Sequence, residues 1–309
     1  MKGPKPMKFP ISLLLLVVLS FDPCRCFVNT VAPARPISSL QSQANRKRPV
    51  VVDGEPPLTT ASRDGNLDRV KELLGGGSPV DEEDSIGWTP LMWSSFGGHI
   101  ECSEALIAAG AQAQESVIYE VPLLSEAECE WFISTAIDYT EREGWCTSRH
   151  RTYSTEDIPV EDIPPLSTFV ADMVRERLQP FIQETYGGNL ELFDVFLVRY
   201  TMDRQRELEE HVDRGMVTFN LALSPLDAYE GGGAYFKGLD QSLKPPRGSA
   251  LVHPAKLRHG GTAITSGTRF VLVGFGKVKN SDPIEALKLT GRLWGCLTQQ
   301  VTYQRAAAA

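Results

Sequence analysis

The spacing of apolar residues changes character along this chain. Ser125 and Glu128 form a capping box, and Cys129, Trp131, Phe132, Ala136 and Ile137 then recur on one helical face. Pro164 and Pro165 open a second helix, with Leu166, Phe169, Val170, Met173, Val174, Leu178, Phe181 and Ile182 at helical spacing and Gly187-Gly188 as its stop. Ser116 to Val121 reads as a short strand ahead of both. From Leu192 the pattern becomes that of strands: Phe193 to Tyr200, Val217 to Ser224, Ala234 to Phe236, Ser249 to His253 and Arg269 to Phe275, with Gly231-Gly232-Gly233 as a turn. Many strands punctuated by Gly and Pro predict a sandwich or jelly-roll barrel, here an α+β domain with flanking helices.

The N-terminus follows other rules. Lys2, Lys5 and Lys8 precede the apolar run Ile11 to Phe21, and Cys24 and Cys26 occupy positions −3 and −1 of a cut before Phe27. That is the form of a secretory signal peptide over residues 1–26, with an uncleaved anchor as the rival. The run is short for a bilayer span, and no later stretch reaches about 18 apolar residues, so the mature chain is expected to have no membrane span. Between Pro23 and Val52 there is no acid, but there are Arg25, Arg35, Arg46, Lys47 and Arg48 with Ser38, Ser39 and Ser42. Residues 27–56 are therefore either a transit peptide or a basic disordered linker. A signal followed by a transit segment opening on Phe27 resembles the two-part plastid address of algae with complex plastids. The destinations open are the ER lumen, secretion or such a plastid.

Residues 57–114 repeat with themselves: Ala61 to Asp81 aligns under Ser94 to Gln114 at an offset of 33, Gly65 on Gly98, Leu73 on Leu106 and Gly77 on Gly110. That period, with Gly87-Trp88-Thr89-Pro90-Leu91, Gly97-Gly98-His99 and Ala108-Ala109-Gly110-Ala111, resembles the ankyrin repeat. Met92 stands where that family usually has His. Two repeats bury too little to stand alone, so they are expected to lean on the following domain, either as a protein-binding arm or as a packing element. His99 is read as a turn residue.

The chain has 309 residues and a formal charge of −8, which argues against nucleic acid or an anionic membrane as partner but leaves a basic peptide open. Once the signal is removed, Cys102, Cys129, Cys146 and Cys296 remain; their spacing makes no zinc site, and their disulfide state is undetermined. His150, between Arg149 and Arg151, reads as a surface or substrate-facing residue.

The candidate chemistry sits in the strand-rich segment. In His211-Val212-Asp213, alternate residues of a strand point to one face, about 7 Å apart along it, so both can meet one metal. His259 stands 46 positions after Asp213 as a third ligand. Two His and one carboxylate leave coordination sites open, as non-haem Fe(II) oxygenases require. Ten positions further, Arg269 opens the apolar strand Phe270-Val271-Leu272-Val273. A buried cation there needs an anion, and the guanidinium suits the distal carboxylate of a dicarboxylate. A zinc hydrolase is the rival, and Arg269 counts against it. His253, in Ser249 to Pro254, is too far from Arg269 in sequence for the ligand role and is read as structural.

With Val198-Arg199-Tyr200, Leu208, Thr218-Phe219-Asn220-Leu221-Ala222-Leu223, Tyr229 to Gly233, Phe236, Pro246-Arg247-Gly248 and Gly267-Thr268-Arg269-Phe270, these residues resemble the catalytic domain of the procollagen lysyl hydroxylases, in the prolyl-4-hydroxylase-like class. The resemblance runs from about Leu192 to Gly276, with an ankyrin pair ahead of it in place of that family's glycosyltransferase-like domains. It implies an Fe(II)- and 2-oxoglutarate-dependent dioxygenase with iron on His211, Asp213 and His259. It also implies 2-oxoglutarate on Arg269 with Tyr200 lining its pocket, O2 as oxidant and ascorbate as the agent that keeps iron reduced. The implied reaction hydroxylates a peptidyl lysine or proline with release of succinate and CO2. The alternatives are a small-metabolite hydroxylase and a non-catalytic ankyrin adaptor. Glu209 and Glu210 form an acidic rim that either greets a Lys-rich peptide or is simply solvated. The dioxygenase domain is assigned to residues 115–279, and residues 280–309, with Ile284, Leu287, Leu289, Trp294 and Leu297, to a packing extension.

Overall fold

A computed structural model describes residues 55–112, 116–149, 155–294 and 301–306. The signal segment, the basic stretch as far as residue 54, His150, Cys296 and Leu297 lie outside the described residues, as do the side chains of Ile284, Leu287 and Trp294.

The repeat pair forms two helical hairpins, α1 (Pro57–Arg63) with α2 (Leu67–Gly75) and α3 (Pro90–Gly97) with α4 (Ile100–Ala108). Asn66 caps α2 and Thr89 caps α3 through Met92 N, with Pro90 in the first turn where its missing N–H costs nothing. Leu58, Val70, Leu91, Cys102 and Leu106 make a small core between the hairpins. His99 is the turn residue expected; its Nε2 lies 3.1 Å from the Arg63 carbonyl and ties the second hairpin to the first. Where Met92 offers no imidazole, Asp84 holds the loop instead, accepting from Ile86 N, Trp88 N and, at 2.7 Å, the Trp93 indole.

The larger part contains two sheets. The main sheet runs β11-β1-β8-β5-β10-β3-β2, and the second runs β4-β9-β7. Their strands are β1 (Ser116–Pro122), β2 (Asp157–Pro159), β3 (Asn189–Thr201), β4 (Leu208–His211), β5 (Val217–Ala222), β6 (Tyr229–Gly231), β7 (Ala234–Phe236), β8 (Ser249–Pro254), β9 (His259–Gly261), β10 (Ile264–Lys279) and β11 (Val301–Arg305). The first residues of β10 pair with β6, and from Thr268 onward it pairs with β3, joined from Val271 by β5 on its other side. Gly267 makes the crossing possible: its φ is 76° and a Cβ there would lie 2.0 Å from the Ala228 carbonyl oxygen. The arrangement is the jelly roll expected, an α+β fold with ankyrin helices in front.

Period-two alternation sorts the side chains. Leu197, Phe219, Leu221 and Leu272 face the helices, packing on Phe132 of α5 (Glu126–Glu143) and on Leu166, Leu178 and Ile182. Phe196, Val198, Tyr200, Val271 and Phe275 form a separate cluster on the opposite face. The Ser125–Glu128 capping box is present at the start of α5. The single helix expected from Pro164 to Gly187 is interrupted: α6 (Pro164–Met173) and α7 (Gln179–Tyr186) are joined by a π-helical turn, Val174–Leu178. Pro180 is the reason, since it has no N–H for the Glu176 carbonyl and its ring crowds that oxygen.

The C-terminal helix α8 (Pro283–Trp294) sends Leu289 and Leu293 into the main core. Gly291 on the same helix abuts the buried Trp88 so closely that a Cβ would lie 2.6 Å from the indole. Trp88 in turn packs on Trp93 and Phe96 of α3. The repeats therefore lean on the rest of the chain, as their number required, and they do so through this helix.

Candidate active site

β4 and β9 are antiparallel neighbours, and His211 pairs directly opposite His259. That register explains how residues 48 positions apart meet (259 − 211). The strand reading of His211-Val212-Asp213 needs correction. β4 ends at His211, and Asp213 follows in a loop, its N–H donating to the Ala255 carbonyl at 2.8 Å. The turn still directs the carboxylate at both imidazoles: Oδ1 lies 3.3 Å from His211 Nε2 and Oδ2 lies 3.2 Å from His259 Nε2. All three residues are buried, and one ligand atom from each falls within 4.8 Å of the others.

Each imidazole is fixed by its far nitrogen. His211 Nδ1 donates to the Glu209 carbonyl at 2.7 Å and His259 Nδ1 to the Leu257 carbonyl at 2.9 Å, which leaves both Nε2 atoms toward Asp213. Thr218 donates to Asp213 Oδ2 at 2.7 Å, and Phe236 stacks on the His259 ring. Burial alone would raise the Asp213 carboxyl, but the neighbouring His259 charge and the histidine hydrogen bonds outweigh it and hold it below the usual carboxylate range. Burial would lower His259; the Asp213 charge and hydrogen bond reverse that and raise it.

His253 touches His259 yet cannot serve as a ligand. Its Nδ1 donates to the Pro254 carbonyl at 2.9 Å and its Nε2 accepts from the Asn220 amide at 3.0 Å, so both nitrogens are engaged. Burial and the His259 charge push it down to about 3, which keeps it neutral.

Arg269 on β10 pairs opposite Tyr200 on β3, and its guanidinium lies 5.1 Å from the centre of that ring. It is only 6% exposed, and among the described residues no carboxylate lies within ion-pair distance. Burial raises the Tyr200 hydroxyl despite the nearby guanidinium, so the phenol stays neutral. His211, Asp213, His259, Arg269 and Tyr200 all line one cavity of about 400 Å³ between the two sheets. Phe196, Val198, Val271, Val273 and Phe275 give it an apolar wall. Four further polar residues reach it that the sequence reading did not assign to the site: Asn220, Arg149, Thr155 and Arg214. Asn220 had a signal, a polar residue two positions after Thr218 in an otherwise apolar strand. Arg149 had none, since it arrives from a loop and is held by Asp157 and Asp194.

The family model "Ankyrin repeats (3 copies)" matches residues 33–116. The human multifunctional procollagen lysine hydroxylase and glycosyltransferase LH3 is 32% identical over 203 residues, 60% of this chain and 27% of that protein. Mouse procollagen-lysine,2-oxoglutarate 5-dioxygenase 1 is 28% identical over 202 residues, again 60% and 27%. The chain thus spans about a quarter of the length of these relatives. Among solved structures, the 2-oxoglutarate complex of a viral collagen prolyl hydroxylase from Paramecium Bursaria Chlorella virus-1 has a TM-score of 0.40 at 19% identity, over 51% of this chain and 93% of that one. The carbocyclase SnoK from nogalamycin biosynthesis has a TM-score of 0.43 at 16% identity, over 51% and 78%. Over some 200 residues, then, this chain is similar in sequence to the procollagen lysine hydroxylases, and it also matches the ankyrin-repeat model.

Proposed function

We propose that the chain is an Fe(II)- and 2-oxoglutarate-dependent dioxygenase that hydroxylates a lysine or proline side chain of a peptide. The observation that carries this reading is a buried guanidinium with no carboxylate partner among the described residues, in the same cavity as a buried His-Asp-His cluster. The donor set fits iron. Two imidazole nitrogens and a carboxylate, with one ligand atom from each within 4.8 Å of the others, would suit a single ion of this kind. The Asp213 oxygens stand 3.2 and 3.3 Å from the two Nε2 atoms. Bound there, Fe(II) supplies O2 activation coupled to oxidative decarboxylation of 2-oxoglutarate: one oxygen atom enters a substrate C–H bond as hydroxyl, the other enters succinate, and CO2 leaves.

The chain's own residues do the rest. Arg269 receives the distal carboxylate of the co-substrate, a bidentate pairing that relieves an otherwise costly buried cation. Tyr200 closes that end as a neutral donor, and Asn220 keeps one amide hydrogen for the ligand. The apolar wall excludes water, which strengthens these contacts. Ascorbate as the reductant that maintains Fe(II) belongs to the same reading. So do the assignments of residues 57–114 to an ankyrin pair that presents or docks a protein, residues 115–279 to the catalytic domain and residues 280–309 to the extension carrying α8. Secretory targeting fits the leader, and the relatives give no support to a plastid route.

Thr218 should matter without touching substrate. Thr218→Val removes the hydroxyl that orients Asp213 and is expected to weaken Fe(II) affinity about 10- to 100-fold with the fold retained, as read by metal titration. The direct test of the function is anaerobic addition of 2-oxoglutarate to the Fe(II)-loaded chain. A weak visible metal-to-ligand charge-transfer band, followed in air by succinate release, is the expected result. Folded protein that takes up iron yet shows neither would leave the ankyrin adaptor as the better account.

A further inference from the structure

The cavity's charges bear on which peptide it takes, an argument that rests on the dioxygenase reading above. Asp213 is the one carboxylate among the described residues that line the cavity, and it belongs to the candidate metal cluster. Residues 150–154, outside the described residues, contain no acid either. Opposite in sign are three guanidinium groups, Arg149, Arg214 and Arg269. Arg269 is assigned to the co-substrate. Arg149 is neutralised by Asp194 and by Asp157 at 3.5 Å, and neither acid lines the cavity. Arg214 is left: exposed, lying over the Phe193 ring at 6.0 Å, with no carboxylate in ion-pair distance among the described residues. It directly follows Asp213, so its Cα is one peptide unit, about 3.8 Å, from that of the candidate ligand. The acidic rim read from Glu209 and Glu210 does not compensate. Neither lines the cavity, and Glu210 is 3.3 Å from Arg258.

We infer that Arg214 is a specificity residue that selects an acidic peptide, one whose reacting side chain is uncharged and which carries an Asp or Glu beside it. Among the described residues that line this cavity, an entering lysyl ammonium meets a guanidinium without an acidic partner, and its one carboxylate, Asp213, belongs to the candidate metal cluster. A neighbouring carboxylate meets an exposed guanidinium that lines the cavity, and a charge-assisted N–H···O pair is stronger than a neutral one. The preference is set by the sign of one side chain, so reversing that sign reverses the preference.

The test uses the chain with Fe(II) and 2-oxoglutarate under anaerobic conditions and three fluorescein-labelled peptides of equal length. One has a central Pro flanked by Glu, one a central Pro flanked by Ser, and one a central Lys flanked by Ser. Anisotropy titration should give the Glu-flanked peptide a Kd about tenfold or more below the Ser-flanked one, with the Lys peptide weakest. R214E should invert the order of the Glu and Lys peptides, R214K should keep it, and added salt should weaken the Glu peptide most. A Lys peptide that binds wild type as tightly as the Glu peptide, an R214E protein with the wild-type order, or no binding of the Glu peptide would each overturn the assignment. Succinate release by wild type in air is scored separately. Its absence counts against the dioxygenase reading, while the binding order still decides the role of Arg214.

Discussion

Asp213→Ala is expected to lower Fe(II) affinity by well over about 100-fold, more than the loss of a residue that merely orients a ligand. The carboxylate sits between the two Nε2 atoms and is the one anionic donor in the cluster, so its removal takes away both a ligand and the charge that offsets the metal. Stability should fall as well. The Thr218 hydroxyl and two imidazoles whose ring centres are 4.5 Å apart would lose their common acceptor, at a cost of about 1–3 kcal/mol. Asp213→Asn separates the two effects. It keeps the shape and one acceptor oxygen, so the protein should melt close to wild type while holding iron poorly. Iron stoichiometry by elemental analysis after gel filtration decides the matter, and full retention of iron by the Asp213→Ala protein would remove this cluster from the mechanism.

Arg269→Met is expected to divide binding from stability. Truncating one partner of a buried charge pair costs about 2–5 kcal/mol of binding, so affinity for 2-oxoglutarate should fall roughly 30-fold or more. The ligand-free protein, in contrast, should be no less stable and is expected to melt higher. A guanidinium 6% exposed, with no counter-anion among the described residues, is costly to bury, and Met offers similar length without charge. Wild type should gain thermal stability on adding 2-oxoglutarate to the metal-loaded protein, and the variant should not. Arg269→Lys keeps the charge but not the bidentate fork and should fall between them. Unchanged affinity in Arg269→Met would show that the dicarboxylate binds elsewhere.

How much of this was legible in the sequence depended on the range of the interaction. The capping box, the stop at Gly187, the triple-glycine turn and the 33-residue repeat are local devices, and the structure has the corresponding elements. Apolar alternation found the long strands, because one buried face repeats every second residue. Strands of three to five residues such as β2, β6, β9 and β11 carry too few alternations to signal themselves and exist because a longer neighbour pairs with them. The π turn before α7 was local too, in Pro180, but its signal was hidden inside a strong helical period.

For the site, the residue types and their order are legible along the chain: His-x-Asp, a distant His and an Arg at the head of an apolar strand. Chemistry limits which groups can hold iron and a dicarboxylate, and so a short pattern was informative. Folding in three dimensions set the rest. The β4–β9 register set His211 against His259 and the turn after His211 aimed Asp213, while hydrogen bonds on both nitrogens of His253 supply the physical reason for the structural role its spacing implied. Sheet closure also brought Arg149 and Arg214 to the same cavity, where Asp213 is the one carboxylate among the described lining residues. The His211–His259 register and the meeting of Arg149 with Arg214 at one cavity are consequences of contacts between residues tens of positions apart, and no local pattern encodes them.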